Sequence, residues 1–344
     1  MTLCAAWIRN GDDGEELIIA TDSRLTGGEE WDGGPKLFDL GRGDCLLCFT
    51  GDTMRAYPMM LHSAISIQHD AQLSNPRFDV HEVKDHLIDL FNDLCRQILN
   101  GPSGKTQEDL AAEARFVFAG WSWREGHFNI WRLIFSKDAK GFVPEIVYEG
   151  VPGSKAFVYL GDKDKDDKEG LAEARLKVIR EESGQPLEGN LGMEPAKVLI
   201  EMIRENAMQT IGGRLQLAKV YRSGQTEFFG VMWPSENGDP TFLGRRVNPY
   251  FAPRVRFIDP DTLDFTETLP YIFPDLEQYD FGVEDDFVRG CYPKGQAADP
   301  TLVKSLTEAK RERLQRILET QSFREFKEAR RKSQSSEGVE TTDA

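Results

Sequence analysis

The second residue of the chain is a threonine, directly behind Met1. A small residue at that position lets an aminopeptidase remove the initiator, so the mature chain would begin with Thr2. A hydroxyl and a primary amine then share one residue. An α-amine titrates near ~7.7–8.0, so its neutral form is available as a general base. The threonine hydroxyl is a weak nucleophile until such a base activates it. Three further residues have the types this chemistry needs. Asp22 lies in Ala20-Thr21-Asp22-Ser23-Arg24, at the end of a segment expected to pair with the strand of Thr2. Lys36 opens the next strand beyond a Gly-rich loop. A lysine beside the hydroxyl would favour its deprotonation, and Asp22 would orient that lysine and keep it charged. Gly51, within Phe49-Thr50-Gly51-Asp52, marks a strand-to-helix turn whose backbone N–H groups suit a developing oxyanion.

Groups this far apart in the chain need strands to bring them together. Residues 2–9 read as a strand, 10–15 (NGDDGE) as a turn and 16–22 as its hairpin partner. Residues 36–40 and 44–50 form a second hairpin. Helical spacing covers 52–71, with Met54, Tyr57, Leu61, Ala64 and Ile65 on one stripe, and Pro58 predicts a kink or a late start. A stronger helix covers 80–99, with Val83, Leu87, Leu90, Phe91, Leu94 and Ile98 on one face. Strands follow at 115–121, 127–135, 142–148 and 156–160, helices at 168–182 and 195–207, and strands at 214–222 and 226–233. Helices grouped between blocks of antiparallel strands indicate a layered α+β domain over residues 1–235. Residues 236–298, rich in Pro, aromatics and Asp, read as an irregular extension. Asp299-Pro300 starts a helix over 299–332, and 333–344 reads as a disordered tail.

The series Thr2, Ala20-Thr21-Asp22-Ser23-Arg24, Gly-rich loop, Lys36 and Phe49-Thr50-Gly51-Asp52 before a helix resembles the proteasome β-subunit family, including the simpler bacterial proteasome-like peptidases, within the N-terminal nucleophile hydrolases. The likeness covers residues 2–235 and is most specific over 2–65. It implies a four-layer αββα sandwich, here with a C-terminal extension ending in a helix. It implies Thr2 as nucleophile and its amine as base, Lys36 as activating lysine, Asp22 as its supporting carboxylate and Gly51 as oxyanion glycine. Leu25, Phe49 and Thr53 would line the pocket for a substrate side chain. Peptide or protein substrates, an acyl-enzyme and assembly into rings or ring-like helical stacks are implied as well. The likeness leaves room for an ATP-dependent unfoldase or other partner protein. The sequence departs from the family pattern in three places. The first hairpin is longer; Asp162 stands at the serine of the family's Gly-Ser-Gly segment; Met208 and Ile211 stand where an Asp and a Ser normally buttress the threonine amine. A non-catalytic scaffold subunit and an acylase acting on small amides therefore stay beside the peptidase as readings.

Composition narrows the rest. The 344 residues carry 42 Lys and Arg against 58 Asp and Glu, a net charge of −16, and 40% are apolar. That is a globular balance, and it argues against broad nucleic-acid binding, which draws on neutralised phosphates. Five cysteines without a framework read as reduced thiols in a cytoplasmic protein. Neither a signal peptide nor a membrane span is recognisable. No metal or organic cofactor is implied. Gly101-Pro102-Ser103-Gly104-Lys105-Thr106 lacks the first glycine of a phosphate loop and reads as an inter-helix loop. Asp162, Asp164, Asp166 and Glu173 have calcium-loop spacing, but Asp167 replaces the turn glycine and lysines flank it, so a solvated loop is expected. Cys45 and Cys48 should face opposite sides of one strand. His62, His69, His81, His86 and His127 show no ligand spacing. Arg245, Arg246, Arg254 and Arg256 suggest local pairing or a subunit contact, and the basic, striped C-terminal helix suggests docking or packing.

Overall fold

In the computed structural model, the described residues are 2–266 apart from 12–13, 27–28, 99–103, 152–154, 163–165, 188, 248–252 and 254, together with 307–308. The chain divides into two compact units, Met1–Pro270 and Tyr271–Ala344, and every element below belongs to the first. The helix expected over 299–332 and the tail at 333–344 lie outside the described residues, apart from 307–308.

The first sheet is built on a long hairpin, β1 (Leu3–Gly11) and β2 (Gly14–Thr21), paired from Cys4 opposite Thr21 to Gly11 opposite Gly14. β10 (Phe157–Gly161) joins the far side of β1, and β11 (Gln216–Tyr221) then β12 (Gln225–Trp233) join β2. The register sets Leu3 opposite Gly161 and Gln216 opposite Thr21. Four chain segments therefore meet at one end of the sheet: the N-terminus, the end of β2, the end of β10 and the start of β11. Beyond Trp233 the same sheet continues through β13 (Asp239–Phe242), β14 (Arg245–Arg246), β15 (Phe257–Ile258) and β16 (Phe265–Thr266). The described part of the stretch expected to be irregular thus carries short strands. At two to four residues each, they are too brief to show a period of two.

The second sheet runs β5 (Leu37–Asp39), β6 (Cys45–Gly51), β7 (Ala114–Ser122), β8 (His127–Ser136) and β9 (Gly141–Glu149), each antiparallel to the next. A small hairpin, β3 (Leu25–Thr26) with β4 (Glu30–Trp31), stands apart from both. The architecture is mixed α+β with largely antiparallel sheets.

Three apolar cores hold these elements. One lies between the first sheet and α4 (Lys168–Glu182) with α5 (Glu194–Arg204); Trp7, Ile18, Leu199 and Met202 belong to it. A second lies between the second sheet and α1 (Thr53–His69), α2 (Val80–Arg96) and the short α3 (Gln107–Ala111), with Phe49, Met60, Phe91 and Trp131. The third lies between the sheets, with Cys4, Ala6, Ile19, Leu46, Cys48 and Val117. β1 feeds two of them by alternation: Leu3, Ala5 and Trp7 point one way, Cys4, Ala6 and Ile8 the other. A strand covered on both faces reads as a continuous apolar run, which is what residues 3–8 show. Each large side chain so buried contributes about 1.5–3 kcal/mol.

α1 departs from its expected face. The helix begins at Thr53, so Pro58 lies inside it rather than delaying its start. Its buried residues are Ala56, Met59, Met60, Ser63 and Ile67, whereas Met54, Leu61 and Ile65 are 79%, 53% and 58% exposed. Both faces of this helix carry apolar side chains, so periodicity could not choose between them. The sheet side takes the one where Ser63 satisfies its own hydroxyl on Met59 O at 2.7 Å. Among the described residues no helix is long and apolar enough to cross a membrane.

Candidate functional site

Asp22 follows the last residue of β2 and is fully buried. Its Oδ1 accepts from Leu3 N at 3.1 Å, and its Oδ2 accepts from Arg24 N at 3.1 Å and Gly212 N at 3.2 Å. Lys36 Nζ donates to both oxygens at 3.0 Å. Both oxygens of this buried carboxylate are thereby supplied with donors, as burial of so polar a group requires. Lys36 is equally buried, just ahead of β5. Burial pulls its ammonium below the usual lysine range, and the Asp22 charge opposes that pull. Gln216, which opens β11, holds the lysine backbone: its Oε1 accepts from Lys36 N at 3.0 Å, and its Nε2 donates to Gly34 O at 2.6 Å. The sheets are thereby tied together at the site.

Thr2 is fully buried ahead of β1, and its Oγ1 has no hydrogen-bond partner among the described residues. Its nitrogen, here an amide because Met1 precedes it, marks where a free amine would stand. That nitrogen donates to Asp162 Oδ1 at 3.3 Å. The same oxygen accepts from Lys168 Nζ, at the first position of α4. Asp162 also acts on Lys36, favouring its charged form.

The other residues of the Thr21–Arg24 stretch each hold a neighbour. Thr21 Oγ1 donates to Leu3 O at 3.1 Å, and Ser23 Oγ donates to Asp32 O at 2.7 Å while accepting from Arg214 N at 2.8 Å. The Arg24 guanidinium grips Asp32 at 2.6 and 3.1 Å, which holds the Asp32 carboxyl below the usual range. It also donates to Gln209 O at 3.2 Å. Gly51 ends β6 at φ 95°, where a Cβ would meet Glu113 O at 1.9 Å, so only glycine fits the turn into α1.

A cleft of about 540 Å³ opens beside this region, edged by Leu25, Glu30, Trp31, Asp52, Thr53 and Met54. Leu25 and Thr53 meet there. Phe49 lies in the core beneath α1, its ring edge-on to Tyr57 at 5.2 Å. Ile211 is fully buried in the core beneath the first sheet, and Met208 packs against that core. The following Gly212 serves Asp22 and accepts from Ser23 N at 3.2 Å and Arg24 N at 3.1 Å.

The remaining sequence candidates have local partners. Glu173 pairs with Lys155 at 2.5 Å, and Asp164 lies outside the described residues. Cys45 and Cys48 enter different cores, as strand alternation required. Thr106 caps α3 and Lys105 pairs with Glu113. Arg246 pairs with Asp239 at 3.0 Å and Arg256 with Glu227 at 2.6 Å; Arg254 lies outside the described residues. Among the described residues no group of three or more His, Cys, Asp or Glu is arranged to hold a metal. Sequence reasoning passed over Gln216 and the pairing of Lys168. The signal for Lys168 was a cation at the start of a helix directly after an acidic run. No family profile and no curated protein matches the chain.

Proposed function

We propose that the chain, once Met1 is removed, is an N-terminal threonine hydrolase with the four-layer αββα sandwich of the proteasome-like peptidases. Three stacked cores, each between neighbouring layers, support that architecture. One observation carries the chemistry. The buried, unpartnered Thr2 hydroxyl adjoins Leu3, whose N–H is held by the carboxylate that also binds Lys36 with both oxygens.

In the proposed reaction the neutral Thr2 amine takes the hydroxyl proton as Oγ1 bonds to the substrate carbonyl carbon. The carbonyl π pair moves onto oxygen, where the Gly51 N–H would meet it. Lys36, held by Asp22, stabilises the hydroxyl oxygen as it gains negative charge. Collapse of the tetrahedral species breaks the C–N bond, and the Thr2 ammonium protonates the departing amine. Water, activated by the same amine, then cleaves the ester and frees Thr2. Peptide bonds of peptides or proteins are the substrates, entering the cleft edged by Leu25 and Thr53. Copies of the chain assemble, in a cytoplasmic setting, with an ATP-dependent unfoldase or another partner protein to feed them.

The burial of Ile211 in the core, with Met208 partly buried against it, favours a second reading, a non-catalytic scaffold of the same architecture. Intact mass and covalent labelling separate the two. Loss of Met1, addition of one acyl group from a β-lactone at Thr2, and no addition in Thr2→Ala support the hydrolase. A retained Met1 on the assembled protein, or an unreactive Thr2, leaves the scaffold. A panel of peptides and small amides then distinguishes peptidase from acylase.

A further inference from the structure

Asp162 has no part in the reaction just described, yet its Oδ1 takes a hydrogen from the Thr2 nitrogen at 3.3 Å and another from Lys168 Nζ. The pair is almost closed to solvent, with side chains 6% and 1% exposed. Both members are anchored. Asp162 follows Gly161 of β10, whose N–H donates to Glu169 Oε1 at 3.0 Å and whose carbonyl accepts from Thr50 Oγ1 at 3.2 Å and Arg115 Nη1 at 2.5 Å. Lys168 is fixed by the first turn of α4. A carboxylate against the amine carries a chemical penalty: it stabilises the ammonium, which cannot accept a proton. A cation drawing on the same oxygen offsets that penalty.

We propose that Asp162 and Lys168 act as a positioning pair, in which Asp162 fixes the α-nitrogen of Thr2 and Lys168, by drawing on the same oxygen, leaves that nitrogen able to give up its proton and serve as base. This rests on the hydrolase reading. It assigns to one ion pair the amine support that apolar Met208 and Ile211 do not supply. Among the described residues, charged groups at the neighbouring strand ends include Asp22 after β2, which accepts from Leu3 N, its partner Lys36 before β5, Arg115 of β7, which donates to Gly161 O, and Glu169 of α4, which accepts from Gly161 N. They form two pairs, Asp22 with Lys36 and Arg115 with Glu169. The Cys4 thiol of β1 and the Cys48 thiol of β6 also face the Asp22–Lys36 pair, and burial keeps Cys4 protonated. Asp162 bonds the nitrogen directly and carries the Lys168 counter-charge on the bonding oxygen.

The test uses the whole chain beginning at Thr2, released by cleaving an N-terminal ubiquitin fusion. The α-amine is titrated by competitive acetylation with acetic anhydride across about pH 5–10, read by peptide mass. Asp162→Asn should lower the amine midpoint by about one unit and Lys168→Met should raise it by about half a unit. Asp162→Asn/Lys168→Met should fall between Asp162→Asn and the unaltered protein, because it is the carboxylate that bonds to the nitrogen. That variant removes both charges, so it decides the question if a single variant fails to fold. The acid limb of β-lactone acylation should follow the same order, with Asp162→Glu returning it towards its original position. An unchanged midpoint in Asp162→Asn or in the double variant, or a fall in Lys168→Met, overturns the proposal. Midpoints that move in the stated order while Thr2 stays unacylated support the pair and sink the hydrolase reading. Acylation with unmoved midpoints does the reverse.

Discussion

Lys36 and Lys219 occupy closely similar settings at opposite ends of β2. Lys36 Nζ lies 3.0 Å from both oxygens of Asp22, just past the strand's end; Lys219 Nζ lies 2.9 and 3.1 Å from the oxygens of Glu16, near its start. Burial draws both ammonium groups below the usual lysine range, and the partner carboxylate opposes the shift in each case. What differs is the company. Asp22 gathers backbone N–H groups from three chain segments, one of them adjoining the unpartnered Thr2 hydroxyl. Glu16 instead meets Arg9 at 3.5 Å, and Lys219 lies over the Phe265 ring at 4.2 Å. A buried lysine–carboxylate pair is therefore no mark of catalysis by itself. On the proposed hydrolase reading, what would set Lys36 apart is the nucleophile and amine of Thr2 beside its carboxylate partner, and Lys219 would serve as the control.

The largest expected difference is in reactivity. Lys36→Met should slow β-lactone acylation of Thr2 by at least about a hundredfold, by intact mass against time. Lys219→Met should leave the rate within about threefold, since Lys219 lies buried at the other end of β2, away from Thr2. Equal losses in both would erase the distinction. In stability, Asp22→Asn strands a fully buried ammonium and should cost about 3–5 kcal/mol in urea unfolding. Glu16→Gln should cost about 1–3 kcal/mol, because Lys219 keeps aromatic faces beside it. Removing both charges at the control site, as Glu16→Leu/Lys219→Met, should fall between neutral and a gain of about 1–4 kcal/mol.

The smallest effect is on pH. Folded Lys36 holds its proton less tightly than the unfolded chain does, so the folded state releases it first as pH rises. The stability linked to this group is therefore least at low pH and grows between its lowered midpoint and about pH 10.4. On the proposed mechanism reactivity goes the other way, since the charge lost is the one that would steady the Thr2 oxygen. Acylation should decline on the alkaline side before about pH 10.4, and Lys36→Arg should carry that decline upward. Lys219→Arg should not move it.

Much of the site could be read ahead of the structure because strand ends are easy to place. Asp22 and Lys36 each flank a short apolar run; hairpin pairing sets Asp22 beside the start of β1, and the approach of the second sheet to the first brings Lys36 to it. Gly51 was marked by its junction, and the structure supplies the reason in the crowding by Glu113 O. Gln216 carried no such mark: a glutamine opening a strand is ordinary until the register sets it opposite Thr21, within reach of Lys36 N. Lys168 looked like one more solvated cation, since only the fold turns it onto Asp162. α1 was misread for a different reason: with apolar residues on both faces, the choice was made by the sheet, which no pattern local to the helix contains.

Cys45 and Cys48, three positions apart on β6, lie in separate cores, each fully buried. That makes the strand a two-channel reporter. Under mild denaturant, modification of the first thiol would time the parting of the helices from their sheet, and modification of the second would time the parting of the two sheets. Unequal rates would order these events from peptide masses alone, with no dye or engineered probe introduced.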